Sequence, residues 1–444
     1  MTVQLNWPQI QDDAVRLLKA LIRFDTTNPP GNETPAAQFI AAELRAAGYE
    51  PTVLESAPGR GNVIARYKGD GSQRPLLLFG HLDVVPAEPT EWTHPPFEAI
   101  EADGFIWGRG ALDMKNIVAA QLAFMLALKR ARPRLKRDII YSAMADEEVG
   151  GAMGIQWLLE HHHDLLDCEY ALTEFGGFSI EMGGRRFYLC QTGEKGGTRI
   201  TLRAKGRPGH ASMPHTDSAI LHLSQALLKL GHTPTPLHIS PTARAMIEGM
   251  AQAQPFPRSA ALRGLLSPTL SKHLLRLLPE EQAGSFRAML RNTISATLLN
   301  AGYKVNVIPG TAEATLDCRL IPGQTSEDMV REISDIIGPG FEIEADPLST
   351  GAESPLDTPL YRAIERNLNR FDPQAVVLPM LMVGGTDGRF LGARGVPYYG
   401  YSPIRLPAGL KFMELIHSHD ERIPVDAYRE GTQLFAETVL DFCG

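Results

Sequence analysis

Glu147 and Glu148 follow one another directly at the end of an apolar run, Asp138-Ile139-Ile140-Tyr141-Ser142-Ala143-Met144-Ala145, with Asp146 before them and Gly150-Gly151 after. Three adjacent acids repel one another unless a cation neutralises them, and a solvated loop is the ordinary alternative. Two further apolar runs end in the same way. Leu76 to Phe79 leads into Gly80-His81-Leu82-Asp83, and Glu169 to Thr173 leads into Glu174. A fourth group, Gly108-Arg109-Gly110-Ala111-Leu112-Asp113, precedes the Ala- and Leu-rich stretch from Ile117 to Lys129, so Asp113 stands at a helix start, where an acid is often only a cap. Together, a histidine and several carboxylates arriving from three strand ends and one helix start make an oxygen-rich, nitrogen-poor donor set suited to a metal.

Spacing suggests how the work is divided. Side chains at i and i+2 of an extended segment share a face, so Asp83 can accept a hydrogen bond from one ring nitrogen of His81 and leave the other for a metal. Neighbours on an extended chain face different ways, so one of Glu147 and Glu148 can bind metal while the other handles protons. Near the end of the chain, Ile416-His417-Ser418-His419-Asp420-Glu421 offers two candidate ligands, His417 and His419. His210, in Gly206-Arg207-Pro208-Gly209-His210-Ala211-Ser212, lies in a Gly/Pro-rich loop where an exposed, idle histidine is common. His161-His162-His163 follows a helix with no strand end nearby and reads as surface.

The elements that must hold these residues alternate helix and strand up to about Gly183, which predicts an α/β fold with a mostly parallel, mixed sheet flanked by helices. In such sheets the polar site lies at the carboxyl ends of the strands. Beyond Gly183 the pattern changes to exposed-face strands (185–189, 199–203, 293–299 and 311–320) with a helix from about Ser218 to Leu230, an inserted α+β domain with an antiparallel sheet. The first style returns near the end, where Val383 to Phe390 opens a helix and a closing helix runs from about Val425 to Phe442. The division expected is therefore 1–183 with 355–444 as one domain and 184–354 as the other. Residues 231–292, punctuated by Pro234, Pro236, Pro241, Pro255 and Pro257, extend the inserted domain without a legible role.

Composition narrows the class. An apolar fraction of 43% and a charged fraction of 21% describe a globular protein, a length of 444 residues predicts two domains or one domain carrying a large insertion, and a net charge of -8 argues against nucleic acid as a partner. No stretch approaches the roughly 18 apolar residues of a membrane span. Met1 to Pro8 shows no leader pattern, and Cys168, Cys190, Cys318 and Cys443 lack metal or disulfide spacing, so the expectation is a reduced, cytoplasmic enzyme.

The set His81-x-Asp83, Gly108-Arg109-Gly110 with Asp113-Met114-Lys115, Glu147-Glu148-x-Gly150-Gly151, Glu174, Gly209-His210-Ala211-Ser212 and His417-x-x-Asp420-Glu421 resembles the M20 family of di-zinc peptidases and amidohydrolases, in order along nearly the whole chain. The resemblance implies two Zn2+ per chain, with Co2+ or Mn2+ accepted by the same ligands: His81, Asp113 and Glu174 on one, Asp113, Glu148 and His417 on the other. It implies Glu147 as the general base acting on a metal-bridged hydroxide, Asp83 behind His81, a cis peptide at Asp113–Met114, and His210 as an oxyanion donor. It further implies that the inserted domain is a lid that forms a homodimer, and that Asn306, Arg319, Gly385 and Thr386 contact substrate. The 231–292 segment and Leu290-Arg291-Asn292-Thr293 look most like the carboxypeptidase S branch, whereas Thr173 before Glu174 departs from the usual pattern. The function expected is cleavage of an amide or peptide bond next to a free carboxylate, as a carboxypeptidase or N-acyl-amino-acid amidohydrolase. A small-peptide dipeptidase, and a non-catalytic binding protein of the same fold, are the alternatives.

Overall fold

Leu76, Leu77, Leu78 and Phe79 lose all solvent exposure in the strand Gln73–His81, and each such burial contributes about 1.5–3 kcal/mol. This strand lies near the middle of the main sheet of a computed structural model that describes residues 5–444. Met1 to Gln4, part of the stretch behind the cytoplasmic expectation, lie outside the described residues.

The chain divides into two units, one comprising 1–192, 354–380 and 386–444, the other 193–353 and 381–385. In the first, the sheet runs in the order Thr52–Glu55, Gly61–Tyr67, Arg137–Met144, Gln73–His81, Tyr170–Thr173, Tyr398–Gly400, Arg185–Glu194. Its middle is parallel: Arg137–Met144, Gln73–His81, Tyr170–Thr173 and Tyr398–Gly400 all point the same way. The flanking pairs are antiparallel, so the parallel character legible in the sequence belongs to the centre and the mixed character to the edges. His81 is level with Met144 and Leu78 with Leu172, which brings the residues after these strands to one edge of the sheet.

Helix Lys115–Ala131 is buried on every side from Lys115 to Leu128 and packs with Trp7–Ile22 and Val425–Cys443, while Thr34–Ala46 packs on Gly61–Tyr67. Gly80 has a packing reason. A Cβ there would stand 2.4 Å from the Met114 methyl, so the residue after Asp113 needs glycine beneath it.

In the second unit, four antiparallel strands lie in the order Thr293–Ala301, Thr311–Leu320, Gly196–Lys205, Phe341–Ser349. Alternate residues Ile200, Leu202, Ala204, Ala314, Leu316 and Cys318 face a core closed by helices Ala219–His232 and Ser326–Ile337. Four helices, Pro241–Gln252, Arg258–Gly264, Ser271–Leu275 and Glu280–Leu290, occupy the proline-punctuated segment. Among the described residues no helix is long and apolar enough to cross a membrane.

Candidate metal centre

The acids and histidines expected to converge come from five places in the first unit. His81 is the last residue of its strand, Glu147 and Glu148 occupy the 3-10 turn after Arg137–Met144, and Glu174 follows Tyr170–Thr173. Asp113 sits one peptide before the N-cap of Lys115–Ala131, and the Asp113–Met114 bond is cis, as the resemblance implied. His417 lies in the loop after Phe412–Leu415.

These side chains form two groups that share one carboxylate. His81 Nε2 is 3.1 Å from Asp113 Oδ1 and 3.5 Å from Glu174 Oε2. His417 Nε2 is 3.1 Å from Asp113 Oδ2 and 3.2 Å from Glu148 Oε2. Within each group the donor atoms lie within 4.8 Å of one another. Of the two histidines that local sequence left open, His417 joins the group, while His419 pairs at 3.2 Å with Glu91.

The electrostatics call for a cation. Burial, reinforced by the charge of Glu174, holds the Glu147 carboxyl well above the ordinary carboxylate range, and burial lifts Glu174 to about 8. Hydrogen bonds to Asp113 and Glu148 raise His417 to about 10. Burial works against a charge on His81, yet the negative charge of Glu174 and the hydrogen bond to Asp113 outweigh it and raise the imidazole well above its usual value. The acids are thus held against ionising, and Glu148 Oε1 is buried with no hydrogen-bond partner among the described residues. Two imidazole nitrogens and three carboxylates, one of them shared, fit a pair of divalent ions.

Asp83 acts differently from the simplest reading. Its backbone carbonyl, not its carboxylate, makes the 2.9 Å hydrogen bond to His81 Nδ1, and the carboxylate stays 3.5 Å away. The carboxylate instead accepts the backbone N–H groups of Glu147 and Glu148, both at 3.1 Å, and the Asn28 amide at 2.8 Å. Asp83 therefore fixes the turn that carries both glutamates.

Further residues, of which Asn28, Glu33 and Arg60 were not singled out in the sequence, extend this scaffold. Asn28 also donates to Asp146 at 3.2 Å, and Arg60 donates to Asp146 at 2.6 Å while its fork grips Glu33 at 2.8 and 2.9 Å. Asp146, at φ 78°, is held so that the strand ends and the glutamate turn begins. Glu421 accepts from Arg109 at 2.7 Å and from the backbone N–H groups of Gly110, Leu112 and Asp113 at 3.2, 2.7 and 3.1 Å, gathering the turn before the shared carboxylate. The only sequence signal for Asn28 was a turn, Asn28-Pro29-Pro30-Gly31, and for Arg60 there was none.

In the second unit, Gly209 and His210 pair with Ile308 and Val307. The Ser212 N–H donates to His210 Nδ1 at 3.2 Å, with Ser212 Oγ at 2.7 Å, so Nδ1 serves as acceptor and Nε2 is the nitrogen left to donate. Asn306 is exposed, and its carbonyl accepts from Ala211 N–H at 3.1 Å. The Arg319 fork is paired with Asp317 at 2.7 and 3.0 Å, leaving Nη1. Gly385 belongs to the second unit by contact and Thr386 to the first, where Thr386 Oγ1 accepts from Gly388 N–H at 3.2 Å.

Comparison with known proteins is consistent with this geometry. The family described as Peptidase family M20/M25/M40 matches residues 77–441. The chain is 31% identical over 417 residues to N-fatty-acyl-amino acid synthase/hydrolase PM20D1 of Bos taurus, covering 88% of this chain and 80% of that one. It is 27% identical over 438 residues to Aminoacylase-1 of Homo sapiens, covering 96% and 95%. Among solved structures, an M20 family metallo-carboxypeptidase, Sso-CP2 from Sulfolobus solfataricus, matches with a TM-score of 0.68 at 18% identity over 97% of this chain and 99% of that one, a likeness of fold.

Proposed function

The chain belongs to peptidase family M20/M25/M40, a metal-dependent hydrolase family, and from that premise we propose that it hydrolyses the amide of N-acyl amino acids whose carboxylate is free. The observation that carries this is the pair of ligand groups sharing Asp113, with the half-buried Glu147 on the same turn as Glu148. Among the relatives matched across most of their sequence are ones named for acyl-amino acids and one named a probable carboxypeptidase S-like protein, whereas the carnosine dipeptidase is a likeness of fold at 17% identity, which favours the amidohydrolase over the dipeptidase.

His81, Asp113 and Glu174 would hold one ion and Asp113, Glu148 and His417 the other, with zinc the metal suited to this mix of imidazole and carboxylate. When bound, two such ions supply Lewis acidity to the attacking water and the scissile carbonyl. Glu147 takes the proton from that water and delivers it to the leaving amine. Asp83 keeps Glu147 and Glu148 on opposite duties by holding both backbone N–H groups. His210, protonated on Nε2, donates to the developing oxyanion. Arg319 offers Nη1 to the substrate carboxylate, Asn306 lies on the same lid, and Gly385-Thr386 bounds the substrate.

The lid would pair two chains. Thr293–Ala301 is an edge strand with Leu298 and Leu299 exposed by 66% and 68%, and Ile220, Leu221 and Leu228 on Ala219–His232 are exposed as well, a surface suited to a second copy. The four buried, unpaired cysteines suit a reducing, cytoplasmic setting.

The test is a panel of N-acyl amino acids, their methyl esters and free dipeptides, with metal-loaded protein. Faster hydrolysis of the free-acid N-acyl compounds, lost on esterification, is expected. Preference for dipeptides would move the assignment to a dipeptidase, and no turnover of any compound would favour the binding protein.

A further inference from the structure

Residues 231–292 carry seven Lys and Arg against three Glu, in a chain whose net charge is -8. Their helices help enclose a cavity of about 950 Å3, lined throughout by residues of the second unit. Four cations stand on its wall: Lys272, Arg276, Arg287 and Arg291. Among the described residues Glu280 is the only acid lining it, and Glu280 is taken up by Arg287.

Among the described residues the remaining cations have no counter-charge. Arg291 is 9% exposed, and its guanidinium donates to neutral groups, the Thr235 carbonyl and Ser271 Oγ. Just behind the wall, Lys195 is 1% exposed and donates to the carbonyls of Ala288 and Arg291 at 3.0 and 2.8 Å and to Thr293 Oγ1 at 3.4 Å. All three of those acceptor residues line the cavity. Lys272 and Arg276 project from and just past Ser271–Leu275, exposed, with no ion pair among the described residues. Burying a cation without a counter-ion is costly, so the buried Arg291 and the two exposed cations around one cavity, with Lys195 behind its wall, set up a positive field that an anion relieves. Thr233, Thr235 and Asn292 add neutral polar groups to the same wall.

We propose that this cavity is a binding site for a small polyanion, a ligand bearing phosphate or several carboxylates. The opening side is read by Lys272 and Arg276, the floor by Arg291. The apolar part of the wall, Leu275, Leu278 and Ile294, takes the carbon skeleton.

The test titrates metal-loaded protein at constant ionic strength with inorganic phosphate in one arm and tricarballylate in the other, by calorimetry, with metal content measured before and after. Saturable binding in at least one arm is expected, the arm identifying the source of the anion. The Lys272→Ala/Arg276→Ala double variant should weaken it about tenfold or more, with thermal stability in the absence of anion and turnover of N-acyl amino acid unchanged. Absence of saturable binding in both arms, equal affinity in the variant, or binding that disappears when the metals are removed would overturn the proposal. A fall in turnover in the variant would also overturn it, by assigning the cavity to the substrate.

Discussion

The two units concentrate opposite kinds of imbalance. In the first, acids crowd around two histidines, so that burial raises Glu147 and Glu174 and hydrogen bonds to Asp113 and Glu148 raise His417. In the second, Arg291 and Lys195 are buried with neutral acceptors only, and Lys195 is lowered to about 7 by burial. Both regions spend folding energy to keep like charges together. The contrast teaches that a surplus of buried acid with imidazole is a place for a cation, and a surplus of buried cation around a cavity is a place for an anion.

The contrast breaks most completely at Asp113, which both ligand groups share. Asp113→Asn should remove both ions and bring hydrolysis to background, read by metal analysis of dialysed protein. Retention of both ions would show that the groups are independent.

A smaller effect is expected at Asn28, which touches no candidate ligand directly and acts through Asp83. Asn28→Ala should lower kcat by about 10–100-fold with KM and metal content close to normal, because the glutamate turn loosens. An unchanged kcat would make the Asn28–Asp83 bond merely structural.

The smallest effect concerns Lys195, and it sharpens the other side of the comparison. Its folded value of about 7 lies below the ordinary 10.5, so between those limits the unfolded chain binds more protons and stability rises with pH. Below about pH 7 both states are protonated and the whole cost of the buried cation is felt. Lys195→Met should therefore flatten the stability gained from pH 7 to 10.5, as followed by denaturant unfolding of the metal-free protein. An unaltered slope would mean that another group titrates there.

How far the sequence could be read follows the same division. Strand ends announce themselves, because an apolar run must stop where His81, Glu147 and Glu174 meet water or metal. Helix Lys115–Ala131 was legible from its Ala and Leu content, and Asp113 from its place before it. Asn28 and Arg60 were hidden, since their partners Asp83 and Asp146 lie in strand-end segments distant in sequence and only the fold joins them. The choice between the carbonyl and the carboxylate of Asp83 was also beyond periodicity, which gives the face of a strand but not which oxygen bends back. The polyanion cavity was least visible. Its wall comes from short helices broken by proline and from an edge strand, and no sequence period reports a lack of counter-charge.

The most direct test of the account compares neighbours, Glu147→Gln with Glu148→Gln, by metal stoichiometry and turnover on one N-acyl amino acid. The first is expected to keep two ions per chain and lose about 10²–10⁴-fold in kcat, and the second to lose an ion. Loss of metal from Glu147→Gln, or full metal with full activity in Glu148→Gln, would contradict it.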